Sequence, residues 1–260
     1  MLATVKKALD LLTVLSARPE EPQSAGVLAR KVSMHPSTCS VMLKSLVKYG
    51  LVDQNGNRMG YTLGPMAYFL TRNGPYQKHI VLTAEPVMRR LVDEFQETVL
   101  LAGLSRKGRV ILATIEGNQE IRIAKDSPFL DDIYQTATGR LLLAYLSPEE
   151  RQAWIVKLGW PESSWPEADS EQAMDKALAH IHDQEYVIHR PSPQLIQLAF
   201  SVRQDDKVVA ALGMPLPAFR FTGKRRKAIM RGMKKAAGEI SFQINSLKEV
   251  HEHDRTDRTR

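Results

Sequence analysis

Ser37, Ser40, Val41, Lys44 and Lys48 recur at three- and four-residue steps, a spacing that lines side chains along one face of a helix. Most are small, and a helix that enters the major groove needs small side chains so that its backbone can approach the base edges. Hydroxyls suit bases or phosphates, a branched methyl suits the thymine methyl, and lysines suit phosphate oxygens. A solvated helix face would account for this pattern taken alone, so what surrounds it decides. Residues that could support catalysis are poorly arranged by comparison. Gly103-Leu104-Ser105 begins like a nucleophile elbow, but Lys107 stands where the second glycine belongs. No glycine-rich phosphate loop of the P-loop or Rossmann pattern is present. Cys39 falls on the opposite, inward side of the same helix, where a buried thiol is ordinary packing. His251 and His253 fall in the expected disordered tail with no cysteine near them, so no metal or other cofactor is expected.

The elements around the polar face are legible. A first helix reads from Val5 to Ser16, and Arg18-Pro19-Glu20-Glu21-Pro22 ends it. Ser24 is a suitable N-cap for a second helix whose inner stripe is Val27, Leu28 and Val32. After a break at Ser33-Met34-His35, Pro36 opens a third helix, with Cys39, Met42, Leu43, Leu46 and Val47 facing inward. Gly50 closes it. Leu51-Val52-Asp53 and Gly60-Tyr61-Thr62-Leu63 then flank a loop containing Asn55-Gly56, which predicts a β-hairpin. Three helices followed by a hairpin make a winged helix-turn-helix, with Arg58 at the wing tip in reach of phosphate or the minor groove.

Charge supports that reading. The chain of 260 residues has a net charge of +7. Residues 1–75 hold nine Lys and Arg against four Asp and Glu, residues 76–222 hold sixteen against twenty, and residues 223–260 hold eleven against five. The basic first segment suits a polyanion and the acidic middle does not. A single cysteine excludes an intrachain disulfide and suits a reducing compartment. The absence of a long apolar run or signal-peptide layout leads to the expectation of a cytoplasmic protein without membrane contact.

The remainder predicts an α+β unit. A short helix at Met66–Asn73 and a longer one at Gln77–Gln96 lead into it. The apolar stripe of the longer helix could pack on its own domain or on a second copy. Strands are predicted at 99–104, 110–115, 121–124, 186–189, 195–203 and 208–214, and helices at 138–146, 148–158, 170–183 and 223–247. The expected division is a DNA-binding domain over 1–65, linker helices over 66–97, a second domain over 98–248 and a disordered tail over 249–260.

At this point the residues carry a family resemblance. Ala25-Gly26-Val27-Leu28-Ala29, Pro36-Ser37-Thr38-Cys39, Leu46-Val47-Lys48-Tyr49-Gly50-Leu51-Val52 and Tyr61-Thr62-Leu63-Gly64-Pro65 resemble, in order and spacing, the DNA-binding module of IclR-family bacterial regulators. The resemblance implies a homodimer or homotetramer on double-stranded operator DNA, contacted by Ser37, Thr38, Ser40, Val41, Lys44, Lys48 and Arg58. It also implies a GAF-like, effector-binding C-terminal domain with an antiparallel sheet. Tyr134 to Ala144 resembles the mouth of the family's pocket, and Leu195 to Ala199 and Ala210 to Gly213 resemble its lining strands. Gln135, Thr136, Ala137, Thr138, Gly139, His189, Gln197 and Gly213 are then the effector-binding candidates, with a carboxylate as a suitable ligand. Glycine and hydroxyls at a helix start, where amides await an acceptor, favour an anion. Three departures stand out: Val41 where many members carry arginine, Gln197 where a cysteine or small polar residue is common, and Val187–Pro193 where an acidic stretch and a glycine are frequent. His189 and Arg190 there could meet a carboxylate, or serve as a structural histidine and a solvated arginine. The expectation is a non-enzymatic, effector-controlled regulator, a repressor in the first instance and an activator in the second. The same fold with a vestigial pocket, or an enzyme with a nucleic-acid-binding appendage, are the alternatives.

Overall fold

The computed structural model describes residues 2–54, 60–71, 74–105, 108–117, 129–130, 132–161 and 164–257, with 129–130 and 247–257 described as backbone only. The chain divides into two compact units, the first ending at Pro75 and the second beginning at Tyr76.

In the first unit, α1 (Ala3–Ser16), α2 (Ala25–Lys31) and α3 (Pro36–Lys48) precede a two-stranded antiparallel sheet of β1 (Val52–Gln54) and β2 (Tyr61–Leu63). Leu11, Leu15, Leu28, Cys39, Leu43 and Val52 are fully buried in its core. The segment before α2 joins the hairpin, because Gln23 and Tyr61 exchange backbone hydrogen bonds of 3.0 and 2.9 Å. Gly60 (φ +102°) lets this happen: a side chain there would lie 2.9 Å from the Gln23 backbone. A seven-residue helix, α4 (Pro65–Thr71), follows the hairpin and buries none of its side chains.

In the second unit, α5 (Lys78–Phe95) leads into β3 (Val99–Ser105) and β4 (Gly108–Ile115), followed by β5 (Phe129–Leu130), α6 (Ala137–Ala144), α7 (Pro148–Leu158), α8 (Glu171–Gln184), β6 (Tyr186–Ser192), β7 (Leu195–Gln204), β8 (Lys207–Pro217) and α9 (Gly223–Asp257). The six strands form one antiparallel sheet in the order β5-β4-β3-β8-β7-β6. Alternation along the strands creates two faces. Val99, Leu101, Ile196, Leu198, Phe200, Leu212 and Met214 point to the side covered by α5 and α9. Leu100, Ala102, Val187, Ala199 and Ala211 point to the side covered by α6, α7 and α8.

The structure differs from expectation in three places. The apolar stripe of α5, from Ile80 to Phe95, is buried in the core it shares with α9 and the sheet, so α5 belongs to the second unit rather than to a linker. Its 3.6-residue periodicity recorded a buried face without saying which surface covers it. Second, α9 continues to Asp257, beyond the expected end near residue 247 and through most of the expected disordered tail. No glycine or proline follows Gly238, and loss of apolar periodicity alone does not terminate a helix. Third, the edge strand is at 129–130, while the strand expected at 121–124 lies outside the described residues.

Candidate DNA-binding face and effector site

The two helices of the helix-turn-helix are each fixed at their start. The Ser24 hydroxyl accepts from the Val27 amide at 3.4 Å. At the start of α3 the His35 ring supplies the cap: its Nδ1 accepts from the Ser37 amide at 3.4 Å and lies 2.8 Å from Ser37 Oγ. Pro36 sets the first turn. Between the helices Ser33 adopts the left-handed conformation (φ 50°) that turns the chain. Inside, Cys39, Leu43 and Leu46 lock α3 to the core. The Cys39 thiol donates to the Ala25 carbonyl at 3.7 Å and burial pushes its pKa up, which removes it from nucleophilic chemistry.

The outer face carries Ser37, Thr38, Val41, Lys44 and Lys48, all exposed, with Val41 at 66%. Ser40 is half-buried and its hydroxyl donates to the Pro36 carbonyl at 3.0 Å, so toward a ligand it is left with acceptor lone pairs. Sequence reasoning missed Ser45, which is exposed one turn beyond Val41 and donates to the Val41 carbonyl at 3.2 Å. The same four-residue step would have found it. β1 and β2 pair Val52 with Leu63 and Gln54 with Tyr61, which aims the hairpin; Arg58, expected at its tip, lies outside the described residues.

In the second unit, the eight effector candidates meet where α6 begins over the small-residue face of the sheet. Thr136 caps α6, its hydroxyl accepting from the Gly139 amide at 3.2 Å and donating to the Asp132 carbonyl at 3.2 Å. Gln197, on β7, reaches across so that its Oε1 accepts from the Ala137 amide at 3.1 Å. The helix start is therefore already capped at two amides. That corrects the expectation that these donors stand unpaired, because an acceptor 60 residues away in sequence is invisible to a local reading. Gly139 is required by contact: a Cβ would lie 2.2 Å from the Ile133 carbonyl oxygen. Gly213 on β8 has the same character, since its Cβ would lie 2.8 Å from Thr138 Cγ2. His189 sits opposite Gln197 in the β6–β7 register, hydrogen-bonds the Gln135 backbone and completes the group. Arg190 is exposed.

Three charged residues that sequence reasoning overlooked frame this site. Arg109 on β4, 3% exposed, grips Asp132 with two hydrogen bonds of 2.8 Å and donates a third, of 3.1 Å, to Thr138 Oγ1. Arg140 is buried with its guanidinium 4.6 Å over the Trp165 ring and donates to the carbonyls of Tyr134 (2.7 Å) and Ser164 (2.8 Å). Desolvation lowers its pKa to about 10. His189 is held down to about 4, first by burial and then by the positive charge of Arg140, so its ring is neutral at pH 7. The only advance sign of Arg109 was a charge at an inward strand position after Gly108. Among the described residues, no cluster of His, Cys, Asp or Glu is placed to hold a metal ion, and no helix is long and apolar enough to cross a membrane.

A winged helix-turn-helix in one unit, with an α+β unit that carries a small polar site under a helix start, defines a one-component transcriptional regulator. The chain belongs to the IclR family. Residues 4–56 match the IclR helix-turn-helix domain, and residues 76–242 match the family described as bacterial transcriptional regulator IclR C-terminal. It is similar to the HTH-type transcriptional regulator KdgR of Escherichia coli K12, 24% identical over 93% of each chain. Among solved structures it is similar to the Thermotoga maritima IclR (TM-score 0.70, 20% identity, 94% of this chain and 100% of that one). It is also similar to an IclR homolog from Microbacterium hydrocarbonoxydans complexed with 4-hydroxybenzoate (TM-score 0.70, 20% identity, again 94% and 100%). The protein is thus a DNA-binding transcriptional regulator with a C-terminal effector-binding domain.

Proposed function

We propose that this regulator, working as a homodimer or dimer of dimers, binds a near-palindromic operator through the outer face of α3, and that a small carboxylate at the start of α6 sets its affinity. The observation that carries the DNA half is the α3 face itself: five exposed side chains of suitable type above a sealed core. Val41 and Ser37 read base edges, with Thr38, Ser40 and Ser45 beside them, while Lys44, Lys48 and the wing's Arg58 hold phosphates. We read the chain as a cytoplasmic repressor and not as an enzyme, in keeping with its family.

Two-fold symmetry follows from the small footprint of one module, which needs two half-sites for useful specificity. The surface for it is apolar. Leu2 just before α1, Val5 and Leu9 on it, and Met66, Tyr68, Phe69 and Leu70 on α4, are all exposed. A seven-residue helix that buries nothing has too little local stability to persist by itself, and a second copy of α4 supplies the missing cover. α5, the segment first considered for this role, has its stripe occupied by its own domain.

The carboxylate reading rests on the buried Arg140 and on the neutral His189 beside Gln197 at the start of α6. The homolog complexed with 4-hydroxybenzoate supports that ligand class. Operator binding measured across salt concentrations tests the whole. Lys44→Ala is expected to weaken all DNA alike and reduce the salt slope by about one unit, whereas Val41→Ala changes sequence preference at unchanged slope. Equal effects of both on specific and random DNA would refute the α3 assignment.

A further inference from the structure

Gln197 does something that the other site residues do not. It is a strand residue whose side chain ends in the position an effector's oxygen would take, with Oε1 3.1 Å from the Ala137 nitrogen. Beneath it the sheet presents Ala199, Ala211 and Gly213, and beside it in register is His189. The bond is neutral at both ends, and neutral hydrogen bonds yield to charge-assisted ones, which are roughly twice as strong. The charged groups around it are Arg140, whose contacts are two carbonyls and the Trp165 ring and which interacts with the Glu167 carboxylate, and Arg109, which Asp132 already neutralises.

Building on the effector site proposed above, we propose that Gln197 is an internal stand-in for the effector: its carboxamide holds the α6 start, and an effector acts by displacing it with an anionic oxygen. Gln197 is then the specificity-determining residue of the site. A neutral ligand gains nothing over the carboxamide it must replace, while a carboxylate gains the difference between a neutral and an ionic acceptor. Displacement also breaks the one described side-chain hydrogen bond that ties α6 to β7, so occupancy is coupled to the seating of α6 on the sheet.

Chemical rescue tests this on the full chain. Gln197→Ala removes a piece the size of acetamide, and acetate serves as the probe. The Ala137 and Gly139 amide resonances are followed during acetate titration at constant ionic strength, with sodium chloride as the control. In Gln197→Ala the Ala137 amide loses its acceptor, and acetate restores its shift with an affinity roughly three- to tenfold above wild type, the range set by one net hydrogen bond. Acetamide restores it less well than acetate. Gln197→Glu, which tethers a carboxylate in place, takes up no acetate. Identical acetate titrations in wild type and both variants overturn the proposal, and should Gln197→Ala fail to fold, equal uptake by wild type and Gln197→Glu overturns it equally. The same samples are assayed for operator affinity. Rescue at Ala137 with no change in operator affinity upholds the stand-in and refutes the placement of the effector site.

Discussion

His189 makes acid stability measurable at a single residue. Its ordinary pKa of 6.5 falls to about 4 in the folded chain, through burial first and the Arg140 charge second, against smaller opposing contributions from the Gln135 backbone and Glu167. The unfolded chain therefore binds a proton on this ring below about pH 6.5, while the folded chain does not until about pH 4. In that window the unfolded state carries more protons, so stability rises with pH and is lost as pH falls. Above pH 6.5 both states are neutral and the residue contributes no slope. At about 1.4 kcal/mol per unit, a drop of this size corresponds to at most about 3 kcal/mol, and partial hydration of a half-buried ring reduces it to roughly 1–3 kcal/mol. Urea unfolding of wild type and His189→Gln at pH 7.5, 6.5, 5.5 and 4.5 isolates the effect, because the carboxylates titrate alike in both. Wild type is expected to lose about 1–3 kcal/mol more than the variant between pH 7.5 and 4.5, with no divergence above pH 6.5. Parallel curves would refute the placement of a buried, uncharged His189 next to Arg140.

Three further outcomes follow from the same geometry. Asp132→Ala strands the buried Arg109 and is expected to cost about 3–5 kcal/mol of unfolding free energy, whereas the paired change Arg109→Met with Asp132→Leu costs well under that; denaturant unfolding separates the two. Gly139→Ala places a methyl 2.2 Å from the Ile133 carbonyl oxygen, a backbone clash expected to outweigh the roughly 1 kcal/mol of helix propensity gained and to lower stability by about 1–3 kcal/mol net. Tyr68→Glu with Leu70→Glu is expected to shift the protein to monomers in light scattering and to weaken operator binding at least tenfold while leaving the fold intact by circular dichroism; an unchanged oligomer removes α4 from the interface.

The parts of this molecule that could be read in advance are those in which cause and effect lie within a few residues. The three N-terminal helices follow from apolar steps of three and four, and the wing from Asn55-Gly56 between two short strands. Pro36 marked the start of α3, although histidine is a rare cap and His35 gave no signal of its own. The placement of α5 was not legible, because a buried stripe looks the same whether its own domain or another copy covers it. The Arg109–Asp132 pair spans 23 residues and the Gln197–Ala137 bond 60. Neither pattern nor propensity reports on contacts at that range. The end of α9 failed for a different reason: the sequence after Leu247 is polar but for Val250, yet contains neither of the residues that stop a helix.

The two faces of the sheet divide the work of the second unit. The face toward α5 and α9 is built from large side chains, including Leu101, Leu198, Leu212 and Met214 with almost no exposure, and a core of that kind resists volume change by kilocalories per cavity. The face toward α6 carries alanine and glycine at 102, 199, 211 and 213 beside Leu100 and Val187, and α6 is held to it at its start by the Gln197–Ala137 bond, the Arg109–Thr138 bond and a Thr138 methyl against Gly213. Gly139 and the Gln197–Ala137 bond fix where α6 begins, and the family match gives the chain an effector-binding domain without identifying its ligand, because a fold is shared by proteins that bind different molecules.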